Sequence, residues 1–213
     1  MRYLFVLFFA VAALLYVFRA GDVSYATLAF VAFTLAWLIA RAWLTDSDPI
    51  AVKSSEVDGR ERALLAFVLL GMIFLPLIAL ATPVLDFARY EPGWIAFVAG
   101  VAAGGLGLYL FYRSHVDLGR FWSPTLETRQ GHMLVTNGIY GRIRHPMYTA
   151  IFLICIAQAL LMDNWVAGPA GLLTFVMLYL FRVGREEAMM RDEFGQAYTE
   201  YEKATPRLVP KLK

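Results

Sequence analysis

Apolar residues in this chain gather into long unbroken runs rather than alternating along strands or lining one helix face. Six runs stand out: residues 4–18, 25–44, 63–81, 94–112, 147–162 and 166–181. A spanning helix needs ~20 apolar residues at 1.5 Å of rise each. The second, third and fourth runs meet that length, whereas the first, fifth and sixth are short. Only Asp163, Asn164 and Trp165 separate the last two, so they must fold as a helical hairpin. Short hairpin helices can span a thinned region or sit partly buried against neighbours. Past residue 181 the chain stays compatible with helix to about Ala204. There Met190, Phe194, Tyr198 and Tyr201 recur at spacings of four and three, an amphipathic stripe. The pattern predicts an all-α, polytopic integral membrane protein of about six transmembrane helices, with a C-terminal hairpin and a cytoplasmic amphipathic helix. Residues 1–213 read as a single membrane domain. Four N-terminal spans fill 1–112; a loop, the hairpin and the last helix fill 113–213.

Punctuation and charge agree with that count. Residues 45–62 are polar and carry Pro49 and Gly59, as a loop does; Pro83 and Pro92 bracket a second, short connection. If the N-terminus is cytoplasmic and all six runs cross, 17 of the 19 Lys and Arg residues fall on the cytoplasmic side, leaving Arg19 and Arg89 opposite. The positive-inside rule expects such asymmetry. Both termini and the connection between the fourth and fifth runs are then cytoplasmic. Arg41 sits near a span end, from which its side chain can snorkel to the interface. Gly100 and Gly104 form a small-residue face for helix packing, and Gly105-Leu106-Gly107 suits packing better than ligand contact.

Composition sharpens the class. Hydrophobic residues make up 60% and charged residues 17%, against about 45–50% and about 25% in soluble domains. A net charge of +2 implies no polyanionic partner, so no nucleic acid is expected. One cysteine, Cys155, lies inside an apolar run, which excludes an intrachain disulfide and reads as a small apolar packing residue.

Candidate chemistry concentrates in the cytoplasmic connection between the fourth and fifth runs. All three histidines, His115, His132 and His145, lie in or beside residues 113–145. Pro146 suits the first turn of a helix, which places His145 just outside the fifth run. Free N–H groups and the positive end of the helix dipole make that point an anion site; equally, Arg144 and His145 could meet lipid headgroups. At the other end of the hairpin, Arg182 and Glu186 are four apart and share a helical face. A tight hairpin returns the end of the sixth run to the start of the fifth, so His145 and Glu186 should face one another across a cleft.

Read together, these pieces resemble the isoprenylcysteine carboxyl methyltransferase family and its relatives among membrane phospholipid methyltransferases. The matching residues run from His132 through Met133, Leu134, Val135, Gly138 and Tyr140 to Arg144, His145, Pro146, Met147 and Tyr148. They resume at Glu186-Glu187, then at residues 194–201 and at Pro206-Arg207. The resemblance implies S-adenosylmethionine held by His132, Met133, Leu134, Val135, Tyr140, His145, Pro146, Met147, Tyr148 and Glu186. It implies Arg182 at the acceptor carboxylate, with Arg182 and Glu186 as the catalytic pair and no metal. A glutamine of the family finds no match: Thr125 stands at its place, with Gln130 nearby.

The implied chemistry is methyl transfer to a lipophilic acceptor, most simply the carboxylate of an isoprenylcysteine-like molecule. A carboxylate needs no general base; an amine or thiol would, and Glu187 or His145 would then be candidates. Expected partners are a lipophilic or lipidated substrate and membrane lipid, with no obligate protein partner. A phospholipid N-methyltransferase is the alternative. A membrane reductase lacks a dinucleotide fingerprint here, and a transporter would carry ionisable groups inside its spans.

Overall fold

The computed structural model describes residues 4–19, 21, 23–44, 52–55, 58–119, 127–129 and 133–211. Each apolar run is a helix: α1 (Leu4–Arg19), α2 (Tyr25–Leu44), α3 (Gly59–Ala81), α4 (Trp94–Leu118), α5 (Pro146–Leu161) and α6 (Ala167–Phe194). A short α7 (Gln196–Ala204) follows. A two-stranded antiparallel ribbon, β1 (Val52–Ser55) with β2 (Glu127–Arg129), joins the loops before α3 and after α4.

Helices α2, α3, α4 and α6 are long and apolar enough to cross a membrane; α1 and α5, at 16 residues each, are shorter. The sixth apolar run is not a short helix. It continues without a break into the polar sequence and reaches 28 residues. Gly195, at φ +54°, then turns the chain into α7, so the stripe from Met190 to Tyr201 is split between two helices. Phe18, Phe87, Ile95 and Leu180 face outward, while Thr27, Gln158, Asp163 and Asn164 are buried. Apolar outside and polar within is the arrangement a lipid solvent favours.

Local chemistry explains the main irregularities. Pro76 lacks an N–H, and its ring clashes with the preceding turn of a regular helix. The conflict is absorbed in a π turn over Leu70–Phe74. The Gly71 carbonyl accepts from the Gln158 side-chain amide at 2.9 Å, and the same amide donates to the Ala167 carbonyl at 2.7 Å. Gly71 itself packs so closely on Ala170 and Thr174 that a Cβ would overlap them. One buried glutamine thus ties α3, α5 and α6 together.

The small-residue face of α4 is a packing face. A Cβ on Gly100 would strike Leu161, one on Gly104 would press on Phe33, and one on Gly107 would press on Ile154 and the Ala150 carbonyl. At the hairpin turn, Asn164 Oδ1 accepts from the N–H groups of Val166 and Ala167, and its amide donates to the Leu85 carbonyl. Asp163 beside it accepts from the Tyr16 hydroxyl at 3.0 Å and from Arg89 at 3.2 Å.

Candidate active site

The opposite end of the hairpin carries the other polar cluster. Pro146 starts α5, with His145 as its cap residue. After α7 the chain runs back along this point as a strap. The Arg144 N–H donates to the Pro206 carbonyl (2.8 Å), the His145 N–H to the Arg207 carbonyl (3.0 Å), and the Thr149 hydroxyl to the Leu208 carbonyl (2.8 Å). Arg144 also donates to the carbonyls of Glu202 and Thr205. The strap and α6 thus both hold the His145–Pro146 corner, and they meet where Arg207 binds Glu187.

Adjacent carboxylates on α6 have different surroundings. Glu187 is 2% exposed. It accepts from Arg144 Nη2 (2.8 Å), His145 Nε2 (3.0 Å) and both Nε (2.9 Å) and Nη2 of Arg207. Glu186 has a side chain 23% exposed. It accepts from the Tyr148 hydroxyl at 2.6 Å and lies 3.6 Å from His145 Nδ1. Burial alone would lower the His145 pKa. Close contact with Glu186 and Glu187, and their charges, outweigh it and raise the imidazole to about 9. The ring is therefore an imidazolium at neutral pH.

Arg182 is buried one turn before Glu186. The expected intrahelical pair is loose, with Nε 3.9 Å from the Glu186 carboxylate. A closer partner comes from α3: Glu61 Oε1 lies 3.2 Å from Arg182 Nη1, and Glu61 is 1% exposed. Asp58 fixes the start of that helix by accepting from the Glu61 N–H at 2.7 Å.

Of the sequence-predicted residues, the fold brings together His145, Tyr148, Arg182 and Glu186, with Pro146 buried at the corner and Met147 packed against the core. Tyr140 is buried nearby, but its hydroxyl turns toward the Ser114 carbonyl (3.3 Å) and burial pushes the phenol well up. Met133 is exposed, and Leu134 and Val135 are half-buried in extended chain leading to the turn at Gly138. His132, with Thr125 and Gln130, lies outside the described residues. His115 is buried in α4, where Nδ1 meets the Phe111 carbonyl at 2.9 Å.

Sequence reasoning missed three participants. Arg144 and Arg207 were read only as positive charge or motif letters, yet they lock Glu187. Glu61 was passed over inside a loop, although Asp58 followed three residues later by Glu61 is a helix-start signal.

This geometry can be compared with known proteins. Residues 105–192 match the isoprenylcysteine carboxyl methyltransferase (ICMT) family. The motif resemblance was to the same family. Its segment holds Tyr140, His145, Tyr148, Arg182, Glu186 and Glu187, and leaves Glu61 and Arg207 outside. The chain is 29% identical over 126 residues to the protein-S-isoprenylcysteine O-methyltransferase of Schizosaccharomyces pombe, covering 58% of this chain and 51% of that one. It is 33% identical over 87 residues to the Homo sapiens protein of the same name, covering 41% and 31%. A probable protein-S-isoprenylcysteine O-methyltransferase of Oryza sativa subsp. indica is 23% identical over 173 residues, covering 78% and 91%. The chain thus spans about half the length of the first of these relatives. The fold resembles that of the eukaryotic intramembrane Ras methyltransferase ICMT, with a TM-score of 0.59 at 19% identity over 95% of this chain and 74% of that one.

Proposed function

We propose that this protein is a multi-pass membrane methyltransferase that uses S-adenosylmethionine to methylate the carboxylate of a lipophilic, isoprenylcysteine-like acceptor. The observation that carries the reading is the convergence of His145, Tyr148, Arg182 and Glu186 at one end of the α5–α6 hairpin, inside the segment that matches the ICMT family. The names of the relatives, all protein-S-isoprenylcysteine O-methyltransferases, support the acceptor class.

The residues present fit the cofactor. Glu187 has its oxygens filled by Arg144, His145 and Arg207, whereas Glu186 accepts a single short hydrogen bond and stays partly exposed. Glu186 therefore keeps capacity for a cationic or hydrogen-bonding group, and the imidazolium of His145 at the start of α5 suits a carboxylate. Tyr140, Pro146, Met147 and Tyr148 would complete its surroundings, with Met133, Leu134, Val135 and His132 on the approach. When bound, S-adenosylmethionine supplies a methyl group on a positively charged sulfur.

The chain's own part is to align and to dry. Arg182 holds the acceptor carboxylate in line, and the apolar helix walls exclude water; both effects favour a reaction in which opposite charges cancel. Neither of the base candidates suits that task. His145 is already protonated at neutral pH and Glu187 is fully engaged. A carboxylate acceptor, which needs no base, fits this site better than an amine or thiol. The basic loops support a cytoplasmic site, with both termini on that side.

The test is incubation of purified protein with methyl-labelled S-adenosylmethionine and an S-prenylated N-acetylcysteine. Label that enters the lipid fraction and is released by mild base is the expected ester. Base-stable label, or transfer only to phospholipid, would replace this reading with an N-methyltransferase.

A further inference from the structure

The Glu61–Arg182 pair carries a consequence for turnover. Glu61 enters from α3, outside the ICMT segment, and is as deeply buried as Glu187: 1% exposed, against 2%. Burial is where the likeness ends. Glu187 is fixed by hydrogen bonds from three cationic side chains. Both carboxylate oxygens of Glu61 accept no hydrogen bond among the described residues, and proximity to Arg182 Nη1 at 3.2 Å is the attachment they have. A carboxylate held by one ion pair can let go of it far more easily than one held by four directed bonds.

We propose that Glu61 is an exchangeable counter-ion for Arg182: it neutralises the guanidinium when no acceptor is bound, yields to the acceptor carboxylate, and returns once that carboxylate has become an ester. The inference rests on the carboxylate-acceptor reading. Charge balance motivates it. In the transfer, an acceptor oxygen forms a bond to the methyl carbon while the carbon–sulfur bond breaks and its electron pair stays on sulfur. The acceptor loses its negative charge in that step. The buried guanidinium then faces a neutral ester where it faced a carboxylate, which is unfavourable in a medium that hydrates it poorly. Glu61, within reach on the neighbouring helix, restores the pair and so favours release of the ester. In the reverse sense it competes with the incoming acid. Glu61 is thus a positioning residue, acting through Arg182.

Glu61→Gln keeps the shape and removes the charge. Titration calorimetry with an S-prenylated N-acetylcysteine should show the acid binding about tenfold more tightly to the variant, and its methyl ester, no longer displaced by a returning carboxylate, also binding more tightly than to the wild type. In steady state, KM for the acid falls and kcat falls with it, because ester release slows. A merely structural Glu61 would give the opposite, with weaker acid binding and a raised KM, and that result or an unchanged acid affinity overturns the proposal. If Glu61→Gln does not fold, Glu61→Asp, which withdraws the carboxylate by one methylene, carries the same test with a smaller expected gain. The binding readout needs no turnover. Tighter acid binding without any base-labile product would therefore reject the function and keep the counter-ion, and ester formation with unchanged acid affinity would do the reverse.

Discussion

The two ends of the α5–α6 hairpin both bury charge, and they do so in different ways. At the turn, Asp163 is matched by Tyr16 and Arg89, and Asn164 closes the backbone of the turn and reaches Leu85. Main-chain bonds reinforce it, with the Tyr90 N–H on the Asp163 carbonyl and the Trp165 N–H on the Ala88 carbonyl. Tyr90 stacks on Trp165 at 4.5 Å between ring centres. Side chains and backbone there point to one arrangement, a clasp joining α1, the α3–α4 connection and the hairpin. At the His145 end, a locked carboxylate, Glu187, stands next to a less committed one, Glu186, and a third acid, Glu61, leans on Arg182 through one contact. Polar groups that are fully matched hold a fold in place. Groups left with capacity are where a ligand can bind.

Glu187→Ala should break that contrast most severely. It leaves Arg144 and His145 buried without their shared carboxylate, a loss of roughly 3–5 kcal/mol for a buried pair broken on one side. Chemical unfolding in detergent would measure it, and a loss below about 1 kcal/mol, the range of exposed ion pairs, would show that Glu187 is not the lock.

The pH dependence of stability sharpens the same point. His145 is raised from 6.5 to about 9 in the folded protein. Its contribution, on the order of 3 kcal/mol for a shift of that size, is present in full below pH 6.5 and is lost as pH rises through about 9. The stability gap between the wild type and His145→Asn should therefore close between those values. A gap that widens with rising pH would mean the imidazole is buried neutral.

Asp163→Asn should have the smallest effect. Loss of the charged acceptor for Tyr16 and Arg89 should cost about 1–3 kcal/mol, read in the same unfolding assay, with KM for both substrates unchanged. A changed KM would show that the clasp and the site are coupled through the hairpin.

Much of the fold was legible because lipid imposes a simple rule on sequence. Runs such as 25–44 and 94–112 are helices because an unpaired backbone is so costly in hydrocarbon. The His145–Pro146 corner was legible as well, since proline at a helix start leaves a local mark. Arg182 and Glu186 could be placed by their spacing and by a turn too tight to separate α5 from α6. What local pattern could not show was pairing across the chain. The strap at residues 205–208 is held through its backbone carbonyls, by the N–H groups of Arg144 and His145, the Arg144 guanidinium and the Thr149 hydroxyl, and bonds to carbonyls leave no trace in side-chain periodicity. Arg182 was matched to Glu186 by spacing, yet its nearer acid comes from 121 residues earlier on α3. Helix past residue 181 was expected, but not that α6 runs unbroken to Phe194 and ends at Gly195, because a change from apolar to charged sequence marks the edge of lipid and not the end of a helix.

Binding of S-adenosylmethionine to the His145–Glu186 end is the claim on which the function rests, and titration calorimetry on purified protein tests it most directly. The wild type should bind the cofactor at a single site, and Glu186→Ala should abolish that binding while its unfolding transition stays close to that of the wild type. Near-normal binding by Glu186→Ala would contradict the assignment.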